Sequence, residues 1–302
     1  MLLCQVMRYR SQLTALVPSL VVCLSAAAAS GCGDDVNAVL EKASQARQIA
    51  ADLLVDFTKA ADAANRAVMA ETDEASVAFA REAEQATQTV QKEADALGPV
   101  LRSLNYADEV RLLDQFNAEY AEYRALDRRI LDLAVENTNL KAQRLSYGPA
   151  QESADAFRDA LKALAPATPA EAWHVQALVA TAVRTVREIQ VLQAPHIADA
   201  DAAVMTRMEK EMATSEMTAR DALEKLRPLV DPASQRHVAA ARAALDRFMG
   251  LNAEIIALSR RNTNVRSLAL SLDQKRASVA KCEETLRALR TALAGRSYTG
   301  RR

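Results

Sequence analysis

Two asparagines carry the most suggestive chemistry in the chain. Asn137 and Asn262 each stand in an apolar stripe of helical period, between Leu133 and Leu140 in one case and Leu258 and Val265 in the other. A buried amide without partners costs about 1–3 kcal/mol, so each must be paired or must face a polar cavity. In the first arrangement the two amides bond each other and fix the register of two helices, as a seam asparagine does in coiled coils. In the second they line a polar pocket in which an arginine holds a ligand carboxylate through charge-assisted hydrogen bonds. Asn65 and Asp201 fall at about the same height when counted from the expected helix ends, and Arg66 and Arg144 lie within a turn or two. Arg144 occupies a stripe position where the related segment has only Ala269, which makes it the leading anion-binding candidate. The candidate ligand-binding set is therefore Asn65, Arg66, Asn137, Arg144, Asp201 and Asn262.

Chemistry of other kinds finds little support. His174, His196 and His237 lie on three different stretches. Glu171-x-x-His174 has the spacing of a di-iron ligand pair, but such a site needs a second motif of that kind and two more glutamates. No Cys-x-x-Cys-His, glycine-rich phosphate loop or nucleophile elbow is present, so no metal, other cofactor or catalytic activity is expected. Met205, Met208, Met212 and Met217 follow helical spacing and read as core filler. Trp173 reads as cover for a bundle end, and Tyr120 and Tyr123 as core residues with a wet hydroxyl. Cys282 lacks the basic or helix-start setting of a reactive thiol and reads as a small buried hydrophobe.

The elements that position these residues occur twice. Leu126–Ser146 and Leu251–Ser271 align without a gap, keeping Leu126/Leu251, Ile130/Ile255, Leu133/Leu258 and Ser146/Ser271. Asn137-Thr138-Asn139 returns as Asn262-Thr263-Asn264. Ala67-Val68-Met69 and Ala203-Val204-Met205 suggest a fainter second relation at a different offset. Apolar stripes spaced by three and four predict helices over about 36–97, 106–165, 169–227 and 232–294. Gly98-Pro99 reads as a helix end, Gly148-Pro149 as a kink, and Pro195 as a bend within the third helix. Thr168-Pro169-Ala170-Glu171 has the form of a capping box, and Asp231-Pro232 that of a cap followed by a helix-starting proline. The expected fold is all-α: a long antiparallel up-down four-helix bundle built from a duplicated helical hairpin, each helix roughly 80–95 Å long.

Composition agrees with that reading. Half the residues are apolar, a quarter are charged, and only 7 of 302 are glycine. A formal net charge of −1 gives no electrostatic case for nucleic acid. Residues 1–31 read as a targeting segment: Arg8 and Arg10 precede the apolar run Leu13–Ala29, and Ala29-Ser30-Gly31-Cys32 follows. This resembles a bacterial lipoprotein signal, although Ala29 stands where that pattern prefers leucine. The resemblance implies lipidation (palmitate) at Cys32 and a mature domain over 32–302. With Gly33 and not aspartate next, it implies the outer membrane, on the periplasmic side, in preference to the inner. Ordinary signal cleavage after Ala26–Ala29 and an uncleaved anchor are the alternatives. With Cys4 and Cys23 in the signal and Cys32 lipidated, Cys282 has no disulfide partner.

The Arg261-Asn262-Thr263-Asn264-Val265 stretch with its flanks, and the long antiparallel helices, resemble the four-helix-bundle periplasmic sensor domain of methyl-accepting chemotaxis receptors. That resemblance implies a bundle that binds a small organic or amino acid at a helix interface and forms a homodimer. Unlike those receptors, the chain shows no second apolar span after the fourth helix and no signalling coiled coil, so a signal would pass to a partner protein of the envelope. The expected function is a lipid-anchored, non-catalytic, sensor-like binding module for a small ligand or partner protein. A structural rod of the cell envelope without a ligand is the alternative.

Overall fold

The computed structural model describes residues 31–296, with side chains from Val36 onward. The targeting segment and the end of the tail lie outside the described residues, as does the Cys32 side chain. Regular structure among the described residues is helical, and no described helix is long and apolar enough to cross a membrane.

The chain begins with a helical hairpin, α1 (Gly31–Val68) and α2 (Asp73–Ser103). A long broken rod follows: α3 (Ala107–Glu136), α4 (Thr138–Leu145), a π turn at Ser146–Ala150, and α5 (Gln151–Lys162). The pattern then repeats. A second hairpin, α6 (Ala172–Ala198) and α7 (Ala202–Leu226), leads to a second rod of α8 (Gln235–Arg261), α9 (Thr263–Leu270), a π turn at Ser271–Lys275, and α10 (Arg276–Gly295). The two π turns fall at matching places, the first around Gly148-Pro149 and the second around Asp273-Gln274.

This differs from the expected bundle in one respect that reorganises everything else. The segments 36–97 and 169–227 are not single helices; each folds back on itself. Thr72 caps α2 by accepting from Ala75 N, with Asp73 and Glu74 in the first turn favouring its positive end. Asp201 caps α7 by accepting from Ala203 N and Val204 N. Pro195 does not bend a continuing helix, since α6 ends soon after it at Ala198. Gly98-Pro99 does not end α2, which runs on to Ser103 with both residues inside it. The caps at Thr168–Glu171 and Asp231 form as the sequence suggests.

The rods run antiparallel along their whole length. Glu109 meets Arg296, Glu119 meets Thr285, Asp127 meets Lys275, Thr138 meets Thr263, and Ala165 meets Ser234. Each hairpin packs on one half of this pair. The first module contains α1, α2, α3 and α10; the second contains α5, α6, α7 and α8. Two four-helix modules are thus stacked end to end, related by an approximate twofold at Thr138 and Thr263. Both hairpin tips lie against the middle of the rods, where Ser76 Oγ donates to Ala134 O and Asn262 Nδ2 donates to Asp199 O.

Each module has its own core. In the first, Phe57, Phe116, Tyr120 and Tyr123 form an aromatic cluster of stacked and edge-to-face rings, with Leu53, Val90, Leu97 and Leu286 around it. In the second, Phe157, Phe248, Ile189, Met212 and Leu223 take that role. The buried positions also correct the fainter sequence relation. Ala46, Phe57, Ala60 and Ala67 of α1 answer at one constant offset to Val175, Val186, Ile189 and His196 of α6. Ala67-Val68 ends α1, whereas Ala203-Val204 begins α7, so those two stretches are not counterparts.

Candidate binding site: a buried charge pair between two clefts

The asparagines selected from the sequence meet at the centre. Asn137 and Asn262 both adopt the left-handed conformation with φ of 52°, a region asparagine tolerates better than most residues, and each interrupts its rod. Asn264 Nδ2 donates to Asn137 Oδ1 at 2.8 Å, and Asn139 Nδ2 donates to Asn262 Oδ1 at 2.8 Å. Thr138 and Thr263 each receive the other's backbone N–H on the hydroxyl, both at 3.1 Å. The layer also fastens the second hairpin: Asn139 Nδ2 donates to Ile197 O and Asn262 Nδ2 to Asp199 O. On the other side of the twofold, Asn137 Nδ2 has no partner of normal geometry and lies beside Asp73.

The other four candidates do not join this layer. Arg144 points outward and bonds Asp73 at 2.8 Å. Burial pushes the Asp73 carboxyl up, but the Arg144 hydrogen bond and charge, helped by Lys141 and Asn137, hold it below its ordinary range. Arg66 bonds Asp62 and Glu82 on the outer face of the first hairpin. Asp201 is an exposed helix cap. Asn65 accepts from Ser271 Oγ at 3.2 Å, near the π turn of the second rod. Arg66 and Arg144 thus pair with carboxylates and not with the central asparagines. Arg144 faces out because the left-handed break at Asn137 resets the helical phase, so the buried positions beyond it are Thr138, Asn139, Ala142 and Ser146.

The structure brings together a different pair. Lys275 Nζ lies 2.8 Å from Asp127 Oδ1, with the two side chains only 2% and 4% exposed. Lys275 ends the π turn of the second rod, and Asp127 comes from α3. Tyr123 stands one turn before Asp127, with its ring 5.9 Å from Lys275 Nζ. Burial raises the Asp127 carboxyl and lowers the Lys275 ammonium, and the opposite charge of the partner pulls each back. Burial and the neighbouring Asp127 push the Tyr123 hydroxyl well above its ordinary value, so it stays protonated.

Two surface clefts reach this pair from opposite sides. One, of about 380 Å³ between α2 and α3, is lined by Thr87, Gln88, Arg124, Arg128, Asp132 and Asp127 itself. The other, of about 330 Å³ between α1 and the α9–α10 segment, is lined by Asn65, Ser271, Arg276 and Lys275 itself. Asp127 thus lines one cleft and Lys275 the other, with their charged groups buried against each other between the two. The desolvation of two buried charges offsets most of their attraction, whereas leaving one of them unpaired is costly, so a ligand that replaces the contact must answer both charges.

The second module shows that the fold does not require the charges. Its positions equivalent to Asp127 and Lys275 are Asn252 and Ala150. There Gln193 Nε2 donates to Asn252 Oδ1 at 2.8 Å, and Ser146 Oγ donates to Gln193 Oε1 at 2.7 Å. A neutral hydrogen-bonded chain fills the level that the ion pair fills in the first module.

A second polar cluster escaped the sequence reading. His196 is fully buried, with Nδ1 2.8 Å from Ser259 Oγ and Nε2 2.8 Å from Glu209 Oε1. The types match those of a hydrolase triad, but Ser259 Oγ donates to His196 O at 2.7 Å and Ser259 is fully buried. Arg260 holds Glu209 in place and bonds Ala202 O, so the cluster clamps the tip of the second hairpin. Cys282 is buried in the first core, and burial with nearby Glu119 pushes its thiol up to about 12, as suits an inert packing residue.

Compared with protein-family models, curated proteins and solved structures, the chain matches none of them.

Proposed function

We propose that this chain is a non-catalytic, sensor-like binding module whose ligand competes for the buried Asp127–Lys275 pair. The observation that carries this reading is that pair: one module holds two charges that its copy replaces with Asn252 and Ala150, and each charge borders a cleft open to solvent. A ligand carboxylate takes Lys275 while a ligand ammonium, or a proton, takes up the charge of Asp127, and a small amino acid or organic acid fits clefts of this size. Release of the internal contact loosens α3 from the π turn of the second rod, and the shared rods carry that change toward the second module. The resemblance of the Asn-Thr-Asn segment to chemoreceptor sensor bundles supports the same reading. On it, Cys32 carries a lipid on the periplasmic side of the envelope and the signal passes to a partner protein. Mass analysis of the membrane-extracted protein tests the anchor, since a mature chain that does not begin at a lipidated Cys32 removes it.

A thermal-shift screen with amino acids and small carboxylates tests the binding reading. At least one amino acid or monocarboxylate should raise the melting temperature of the wild-type chain, and no amino acid or monocarboxylate should shift the Asp127→Asn/Lys275→Ala variant. A second reading, a ligand-free scaffold rod, is favoured by the central Thr–Asn layer, which locks both rods in register. A flat screen for both proteins would favour it.

A further inference from the structure

The outward grooves of the two hairpins occupy equivalent places but differ in charge. Between α1 and α2 the groove is closed by its own side chains. Arg66 bonds Asp62 at 3.1 Å and Glu82 at 2.6 Å, and its guanidinium lies 4.7 Å from the centre of the Phe79 ring. By the offsets that match the buried positions, Asp62, Arg66, Phe79 and Glu82 answer to Val191, Pro195, Val204 and Arg207 in the second hairpin. The carboxylates and the arginine that covers the groove are gone there, and a groove of about 680 Å³ stands open between α6 and α7.

Four cations from both helices line that groove: Arg184 and Arg187 of α6, and Arg207 and Lys210 of α7. Arg184 is paired with Glu188, but Arg187, Arg207 and Lys210 form no salt bridge among the described residues. Val191, 70% exposed, lies between them as an apolar floor. The counterparts of the four cations in the first hairpin are Val55, Thr58, Glu82 and Gln85, so the hairpin fold does not need positive charge here. Like charges gathered in one groove repel, and the first hairpin answers the same place with an internal network. In the second, two carboxylates also line the groove: Glu188, which pairs with Arg184, and Glu211, so the four cations are balanced only in part. Because the unpaired cations stand on both legs, a ligand with one anionic group answers only one leg.

We propose that the α6–α7 groove binds a small multivalent anion, with at least two anionic groups on a short scaffold, held by Arg187 from one helix and by Arg207 and Lys210 from the other. Bound there, it ties the two legs of the hairpin as Arg66 ties those of the first. A dicarboxylate and a phosphorylated compound share this chemistry. The site is separate from the Asp127–Lys275 pair, so either can fail without the other.

Titration calorimetry at constant ionic strength tests this, with succinate, citrate and pyrophosphate as probes and acetate as the monovalent control. Saturable binding of at least one multivalent probe is expected, about tenfold or more tighter than acetate. The carboxylate and pyrophosphate arms tell the two sources apart. In the Arg184→Val/Arg187→Thr/Arg207→Glu/Lys210→Gln variant, each residue is exchanged for its counterpart in the first hairpin. It should keep wild-type helicity and lose at least about tenfold in affinity, whereas Asp127→Asn/Lys275→Ala should bind unchanged. Should the fourfold variant not fold, Arg207→Gln alone should weaken binding several-fold. No saturable binding by any multivalent probe, an affinity equal to that of acetate, or undiminished binding in the variants overturns the proposal.

Discussion

Thr138 and Thr263 approach each other hydroxyl to hydroxyl at 3.2 Å, and each accepts the other's backbone N–H. This reciprocal contact marks the approximate twofold of the molecule. It also explains how two rods can break at one level without leaving backbone groups orphaned. A left-handed residue costs two consecutive helical bonds, and the threonine hydroxyls and asparagine amides replace them.

The asymmetry of that layer predicts unequal mutational costs. Asn262 uses both ends of its amide, whereas Asn137 Nδ2 has no partner of normal geometry. Asn262→Ala should destabilise the chain by about 2–4 kcal/mol, from the lost hydrogen bonds and the left-handed strain on alanine. Asn137→Ala should cost about 1 kcal/mol less. Urea denaturation of the two variants measures the difference.

The buried pair predicts a strongly non-additive cycle. Lys275→Ala alone leaves Asp127 buried and unpaired and should cost about 3–5 kcal/mol, and Asp127→Asn alone a comparable amount. The double variant, which reproduces the Asn252/Ala150 combination of the second module, should recover most of that loss. Denaturant midpoints for the four proteins check the coupling.

Glu93 predicts a pH effect of defined sign. Its Oε2 is buried without a partner, and burial together with the nearby Asp56 charge raises its carboxyl to about 7. A raised acid in the folded state favours the proton. Its penalty is therefore absent below the ordinary 4.5, grows as pH rises, and is complete above about 7. Glu93→Gln should raise the melting temperature at pH 8 and leave it unchanged near pH 4. Solvent screening at this partly exposed site holds the gain to about 1 kcal/mol.

Cys282 should resist alkylation in the native chain and react only on unfolding, because it is fully buried and its thiol is raised to about 12. Peptide mapping after iodoacetamide treatment, with and without denaturant, checks this.

The repeat, the all-helical class and the caps at Thr168 and Asp231 could be read from the residues because each has a local signature: a gapless match, a spacing, a capping pair. The hairpin tips could not. The apolar stripe of 36–97 continues in phase through Met69–Thr72, and that turn contains neither glycine nor proline to interrupt it. Thr72-Asp73-Glu74 was the available signal, as a cap followed by two acids. Pro195 marked the end of α6 but has the same appearance as a kink. Stripe counting turns Arg144 inward because it assumes an unbroken helix across Asn137. Asp127 and Lys275 each sit among charged neighbours, Arg128 and Arg129 for one and Asp273 and Arg276 for the other, and so look like surface residues. Only a register that pairs the two rods antiparallel places them face to face.

Titration calorimetry on the wild-type chain and on Asp127→Asn/Lys275→Ala bears most directly on the binding role, using the amino acid or monocarboxylate that gives the largest thermal shift. Saturable binding to the wild type, and none to a folded double variant of similar stability, is the predicted result. Equal binding by the two proteins would contradict the assignment of the ligand to the Asp127–Lys275 pair.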